Sequence, residues 1–325
     1  MYQNYCVSEH IDEEKNVGGV LLKEKDILKR LVKNDALFRD IHVITQKYDI
    51  IPKDNEHIGV YIEFQDLGEL REDFLEELID SIVDWIYSSD KFAELKQKSV
   101  DKGKSDAAAT QEVGRKARQK FRADHNTDEL LIQGQFGELL LFHFIQRFMK
   151  ATPLLRKMKI ATSSEHERFG ADAIHYKIKD EKNIIILGEA KTYSSKYKFG
   201  TAFADALDSI VNTYKEHRRE LNLYVHEDFL DCEMNQVAED YLNNTLKNVE
   251  VHLVSIVTYD ENNKLKFDSE SSIRKQIETI IAERYHSFDK SKIDIEKNPI
   301  LRRITYIVFP VWNLRGLVEK FQNMI

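Results

Sequence analysis

The sequence has little sulfur, little proline and glycine, and no long apolar run. It contains 2 Cys, 4 Pro and 12 Gly among 325 residues. Two thiols permit at most one disulfide and are too few for a four-thiolate zinc site, which excludes a disulfide-built secreted domain. The low Pro and Gly content excludes collagen-like and low-complexity chains. The apolar runs Leu139–Ile145 and Tyr306–Trp312 fall far short of the roughly 18 residues that a membrane-spanning helix needs.

Several common motifs are missing as well. There is no G-x-G-x-x-G, no G-x-S-x-G and no H-E-x-x-H, which argues against Rossmann, serine-hydrolase and zinc-protease sites. The first residues, Met1–Lys15, lack the basic segment and apolar stretch of a secretory signal. Together with the few cysteines, this predicts a cytoplasmic protein without membrane contact.

The charge balance is acidic. With 48 Lys and Arg against 56 Asp and Glu, the formal net charge is -8, which opposes bulk attraction to nucleic acid. One segment differs, because five of the eight residues in Arg115–Arg122 are basic. These five are Arg115, Lys116, Arg118, Lys120 and Arg122. We predict that they contact nucleic-acid phosphates, the alternative being a solvated helix face.

The pattern along the chain predicts two domains. Residues 1–125 are predicted to form an α/β accessory domain that ends in a basic connector at about 99–128. In it, His57–Phe64 alternates like a half-buried strand, and an apolar stripe predicts one helix from about 69 to 88. Residues 126–325 are predicted to form the second domain.

The second domain has a specific order of predicted elements. Leu130–Met149 is too apolar for a surface helix, and Ile184–Lys191 begins as the continuous apolar run of a central strand. The predicted order is α-β-β-β-α-β, given by a helix at Leu130–Met149, strands at Met158–Ser163, Ala171–Ile178 and Ile184–Lys191, a helix from Phe199 and a strand at Val249–Thr258. A helix near 271–286, a strand at Ile304–Phe309 and a terminal helix near 313–324 follow.

Charged residues occur where the central strand should be buried. Glu189 follows the apolar run, and Lys191 lies two residues later, so both side chains project from one face of the strand. A hairpin between about 178 and 184 would bring Asp172 opposite Glu189. Because buried charges are costly unless they are paired or bound to metal, this cluster favours a functional site. The alternative for Lys191 is a structural ion pair with Glu189.

Two carboxylates and a lysine suit the hydrolysis of a phosphodiester. Mg²⁺ takes oxygen ligands, here predicted to be Asp172, Glu189 and the backbone carbonyl of Ala190. The metal would activate water and neutralise charge in the transition state, and Lys191 would orient or deprotonate that water. Glu138, within the apolar helix, would reach the same metal or a second one, unless it faces solvent. Gln135, three residues earlier on the same helix face, is predicted to contact nucleic acid.

These residues carry a family resemblance. The order of elements, with Glu138, Asp172 and Glu189-Ala190-Lys191 in place, resembles the PD-(D/E)XK nuclease superfamily, although Ala171 stands where that motif has proline. More closely, GQFGELLLFHF, FGADAIHY and ILGEAKTY resemble HamA-like nuclease subunits of the Hachiman antiviral system. The resemblance implies a Mg²⁺-dependent deoxyribonuclease in which Mn²⁺ substitutes for Mg²⁺. It also implies a HamB-like helicase partner that restrains the nuclease, in a heterodimer acting on DNA.

Two other functions remain open at this point. A catalytically inert module that binds a helicase would use the same fold as a scaffold. A sequence-specific restriction endonuclease would cut at fixed sites.

Overall fold

The computed structural model describes residues 23–123, 129–155, 171–194, 199–224 and 232–325. They form a mixed α/β molecule in which helices cover both faces of a seven-stranded sheet. The α/β class predicted from the sequence is confirmed. No helix within these ranges is both long and apolar enough to cross a membrane.

The sheet is mixed in strand direction. The strands are β1 (Ile41–Gln46), β2 (His57–Ile62), β3 (Phe64–Gln65), β4 (Gly68–Glu69), β5 (Thr152–Leu155), β6 (Ala173–Lys179), β7 (Lys182–Tyr193), β8 (Val249–Asp260) and β9 (Ile304–Val311). The sheet order is β1-β2-β9-β8-β7-β6-β5, and β3 and β4 form a separate hairpin. The four central strands β2, β9, β8 and β7 are parallel, whereas the outer pairs are antiparallel.

The helices divide between the two faces of the sheet. They are α1 (Glu24–Lys29), α2 (Arg71–Asp80), α3 (Ile82–Ile86), α4 (Ser89–Asp101), α5 (Asp106–Ala123), α6 (Glu129–Met149), α7 (Phe199–Tyr224), α8 (Cys232–Leu242), α9 (Glu270–Ser287) and α10 (Leu314–Met324). Buried side chains of α2, α3, α5, α6 and α10 form the core on one face. Those of α7, α8 and α9 form the core on the other face.

Most predicted elements occur, with bounds that differ by a few residues: β7, β8 and β9 are longer than predicted, whereas β2 and β6 are shorter. The strands predicted at 57–64, 171–178, 184–191, 249–258 and 304–309 correspond to β2, β6, β7, β8 and β9. The strand predicted at Met158–Ser163 lies outside the described residues, and β5 was not predicted. The single helix predicted at 69–88 is wrong, because the chain breaks at Ser81 into α2 and α3. The Ser81 hydroxyl donates to the Leu78 carbonyl at 2.6 Å, a local bond that competes with helix continuation.

The predicted basic connector is largely a packed helix. Its second half is α5, which buries Val113, Ala117 and Phe121 in the core beneath it. The Phe121 ring packs edge-on against Trp85 of α3 at a centroid distance of 5.4 Å. Residues 124–128 of the connector lie outside the described residues.

Strands from both predicted domains belong to one sheet. Ile58 of β2 pairs in register with Ile307 of β9. Beside them, the backbone N–H of Tyr306 donates to His57 Nδ1 at 3.2 Å. The predicted boundary at residues 125 and 126 therefore does not divide the sheet.

Candidate active site

The β6–β7 hairpin brings Asp172 beside Glu189. Ala173 pairs with Gly188 in an antiparallel register, so the preceding Asp172 comes opposite the following Glu189. The backbone N–H of Asp172 also donates to the Gly188 carbonyl at 3.0 Å. Continued by one residue beyond the paired strands, this register places the two carboxylates on the same side of the sheet, and Asp172 lies near enough to raise the pKa of Glu189.

That side is the one covered by α7. Ile185 and Leu187, which alternate with Glu189 along β7, are buried in the core that α7 helps to form. Lys191 continues the alternation, so it shares the face as well. Its ammonium donates to Glu189 Oε1 at 2.9 Å. Asp172 accepts a hydrogen bond on Oδ2 from the Ala190 backbone N–H at 2.9 Å.

Two hydroxyl residues of α7 hold Glu189 in place. Ser209 donates to Oε1 at 2.5 Å and Thr213 donates to Oε2 at 3.1 Å. Glu189 is only 4% exposed, so these bonds and Lys191 satisfy a carboxylate that water scarcely reaches. Neither residue was predicted from the sequence. The signal that would have found them is their four-residue spacing beside buried Ile210, which places two hydroxyls on the inner face of an amphipathic helix.

The charges in the cluster shift each other's protonation. Burial, reinforced by the nearby Asp172 carboxylate, raises the pKa of Glu189 from 4.5 to about 6. Burial alone would lower the pKa of Lys191, but attraction to Glu189 and the hydrogen bond between them outweigh it and raise that pKa. At neutral pH, the Lys191 ammonium is therefore paired with the Glu189 carboxylate.

Helix α6 approaches β7 from the other face of the sheet. A Cβ added at Gly137 would lie 2.4 Å from Thr192 Oγ1, so the helix and strand backbones pack closely there. Glu138 and Gln135 are both buried on this helix. Gln135 is 2% exposed, and its contact with nucleic acid stays a prediction.

Among the described residues, the candidate acids do not form a three-ligand metal group. In the part of the chain that is described, no three side chains of His, Cys, Asp or Glu lie close enough together to hold a metal ion. Glu138, which is buried on α6, therefore does not form a three-ligand metal group with Asp172 and Glu189. This pair and the backbone of Ala190 supply only hard oxygen donors, the ligand type that suits Mg²⁺ or Mn²⁺.

The basic strip on α5 is partly neutralised within the molecule. Lys116 contacts Glu112 at 2.9 Å, and Arg118 lies 3.9 Å from Asp80. Lys120 lies over the Tyr87 ring, 5.0 Å from its centroid. Arg115 is exposed, and the side chain of Arg122 lies outside the described residues.

Comparison with known proteins identifies the chain's relatives at the family level. A family model named HamA matches residues 35–325. This range contains all nine strands and the residues around Glu189. A search of curated protein sequences found no match.

Proposed function

This chain belongs to the HamA family of Hachiman defence components, and from that premise we propose that it is the nuclease of its system. Its proposed activity is metal-dependent hydrolysis of phosphodiester bonds in DNA. The observation that carries the proposal is the position of Asp172 opposite Glu189, with Lys191 on the same face of β7. Burying these charges costs free energy because they are removed from water. A scaffold without catalytic activity has no function that requires this cost.

The order of elements supports a PD-(D/E)XK core. From α6 to β8 the chain runs α6-β5-β6-β7-α7-α8-β8. This order is similar to the one proposed from the sequence, but β5 takes the place of the strand predicted at Met158–Ser163 and α8 is added. The candidate acids lie at the start of β6 and near the end of β7, where the hairpin places them together. We therefore assign this segment as the nuclease core and the elements around it as additions.

A divalent cation would be held by Asp172, Glu189 and the Ala190 carbonyl. The donor set fits such an ion, because the repulsion that raises the pKa of Glu189 comes partly from Asp172 and a cation between the carboxylates would relieve it. When bound, the ion would supply Lewis-acid activation of water and charge neutralisation at the phosphate. Glu138 is not needed for this assignment.

Lys191 has a narrower role than the sequence suggested. In the metal-free protein, attraction to Glu189 raises the pKa of Lys191 and keeps Nζ protonated at neutral pH, a state that favours donating hydrogen bonds over accepting a proton from water. A charged ammonium instead donates hydrogen bonds to phosphate oxygens or to water and stabilises negative charge in the transition state. We therefore assign Lys191 as an electrostatic and orienting residue.

A HamB-like helicase would bring DNA to the site. The chain carries a formal charge of -8, and two cations of the α5 strip already contact Glu112 and Asp80. Capture of a polyanion from solution should therefore be weak at physiological salt, where charges act over roughly 8 Å. A heterodimer in which the partner binds DNA and restrains the nuclease fits this balance.

The proposal is tested with the chain alone and with its helicase partner on supercoiled plasmid. We expect cleavage with Mg²⁺ or Mn²⁺, none with EDTA, and loss of cleavage in Asp172→Asn. Asp268→Asn is the matched control, because Asp268 is an exposed acid outside the site. Metal-independent cleavage, or wild-type cleavage by Asp172→Asn, would overturn the proposal.

The same assay separates the two alternatives. An inert helicase-binding scaffold is favoured by the lack of a three-carboxylate group among the described residues; it predicts helicase binding without cleavage under any condition. A restriction endonuclease predicts discrete fragments from cuts at fixed sites.

A further inference from the structure

Helix α7 presents polar side chains to β7 at every fourth residue. Asp205, Ser209 and Thr213 follow one another at this spacing, which places them on one side of the helix. Asp205 accepts a hydrogen bond from the Tyr193 hydroxyl at 2.5 Å. Ser209 and Thr213 both donate to Glu189. The helix therefore contacts the functional end of β7 through specific polar bonds as well as apolar packing.

The two carboxylate oxygens of Glu189 accept different numbers of hydrogen bonds. Oε1 accepts from both Lys191 at 2.9 Å and Ser209 at 2.5 Å. Oε2 accepts from Thr213 alone among the described residues, at 3.1 Å. An ionised carboxylate has about four acceptor positions, two on each oxygen. Oε1 is thus filled, whereas Oε2 keeps one position.

We propose that Ser209 is a specificity-determining residue that restricts Glu189 to binding a cation through Oε2 alone. Mg²⁺ and Mn²⁺ suit such single-oxygen binding, because Mg²⁺ requires near-octahedral geometry with few protein ligands. Ca²⁺ takes six to eight oxygens and commonly binds a carboxylate through both. By occupying Oε1, Ser209 disfavours the larger ion. The inference rests on the proposed function, since it concerns the same metal site.

The test measures ion selectivity without DNA and without activity. Purified, metal-free protein is titrated with Mn²⁺ by electron paramagnetic resonance, and the bound Mn²⁺ is then displaced with Mg²⁺ or Ca²⁺. The variant is Ser209→Ala, which frees one acceptor position on Oε1. Ser209→Thr retains the hydroxyl, and Thr201→Ala removes an exposed hydroxyl from the same helix.

Wild-type protein, Ser209→Thr and Thr201→Ala should all prefer Mg²⁺ to Ca²⁺. In Ser209→Ala, that preference should shift toward Ca²⁺ by about tenfold or more, the lower end of the effect of residues that orient metal ligands. If Ser209 had only a structural role, its substitution would weaken the binding of both ions equally. An unchanged ratio of Mg²⁺ to Ca²⁺ affinity in Ser209→Ala would therefore overturn the proposal. A wild-type protein that binds no Mn²⁺ would overturn the metal site itself, and with it the proposed function.

Discussion

Glu189 is the residue whose chemistry depends most on its surroundings. Burial and Asp172 raise its pKa to about 6, although three donors contact the carboxylate. The hydrogen bonds therefore only partly offset the cost of removing the charge from water. The sequence predicted the charged pair from the spacing of Glu189 and Lys191. It did not predict Ser209 and Thr213, because a hydroxyl on a helix gives no sign of its partner until the helix is packed.

The raised pKa of Glu189 predicts that the free energy of unfolding of the metal-free protein depends on pH. Between pH 4.5 and about 6 the folded state binds more protons than the unfolded state, so stability falls as pH rises through this window. The loss is about 2 kcal/mol, at 1.36 kcal/mol per pKa unit. It is measured by urea unfolding in EDTA, as the difference between wild type and Glu189→Gln at pH 4.5 and pH 7.5. A difference that does not change with pH would contradict the assignment.

Close contact between α6 and β7 sets the position of the site at the scale of elements. A Cβ added at Gly188 would lie 2.7 Å from Ile145 Cδ1, 2.9 Å from Leu141 Cδ2 and 3.1 Å from Ala173 Cβ. The missing side chain at Gly188 therefore lets the helix lie directly on the hairpin. Periodicity identified both elements. It did not show which face of β7 the helix covers, which is the face opposite to that of Ile185, Leu187 and Glu189.

Gly188→Ala should destabilise the protein by about 1–3 kcal/mol, because overpacking displaces α6 or the β6 strand. Gly134→Ala is the matched control. Gly134 lies on α6, and no atom is within 4 Å of a Cβ added there. There, the better helix propensity of alanine should add up to about 1 kcal/mol. Chemical denaturation of both variants measures these changes. Equal effects of the two substitutions would show that the helix does not pack on Gly188.

The whole molecule is organised around one sheet rather than around the predicted division of the chain. Composition and spacing predicted β2 and β9 separately, since each has a clear apolar pattern. Their pairing joins residues such as Ile58 and Ile307 that are distant in sequence, and single-strand patterns contain no information on such contacts. The prediction of a connector at 99–128 allowed a helix in its second half, and α5 lies there. That this helix packs on the core was not predicted, because its apolar face is short and interrupted by basic residues.

One sheet predicts one cooperative unfolding transition. The two tryptophans lie on either side of the predicted boundary. Trp85 is buried in α3, and the Trp312 indole N–H donates to the Asn263 carbonyl at 2.7 Å. Single-tryptophan variants made by Trp85→Phe and Trp312→Phe should give coincident fluorescence transitions in urea. Two separate midpoints would instead support independent domains.

The nuclease assignment is tested most directly by the single-turnover cleavage rate of Glu189→Gln with the proposed helicase partner added, at saturating Mg²⁺. Gln keeps the size of the side chain and removes the charge that would hold the cation. Cleavage should fall by at least about 10³-fold, within the range expected when a catalytic group or charge stabiliser is lost. Glu283→Gln, an exposed position on α9, should retain the wild-type rate. Cleavage by Glu189→Gln at that same rate would contradict the account.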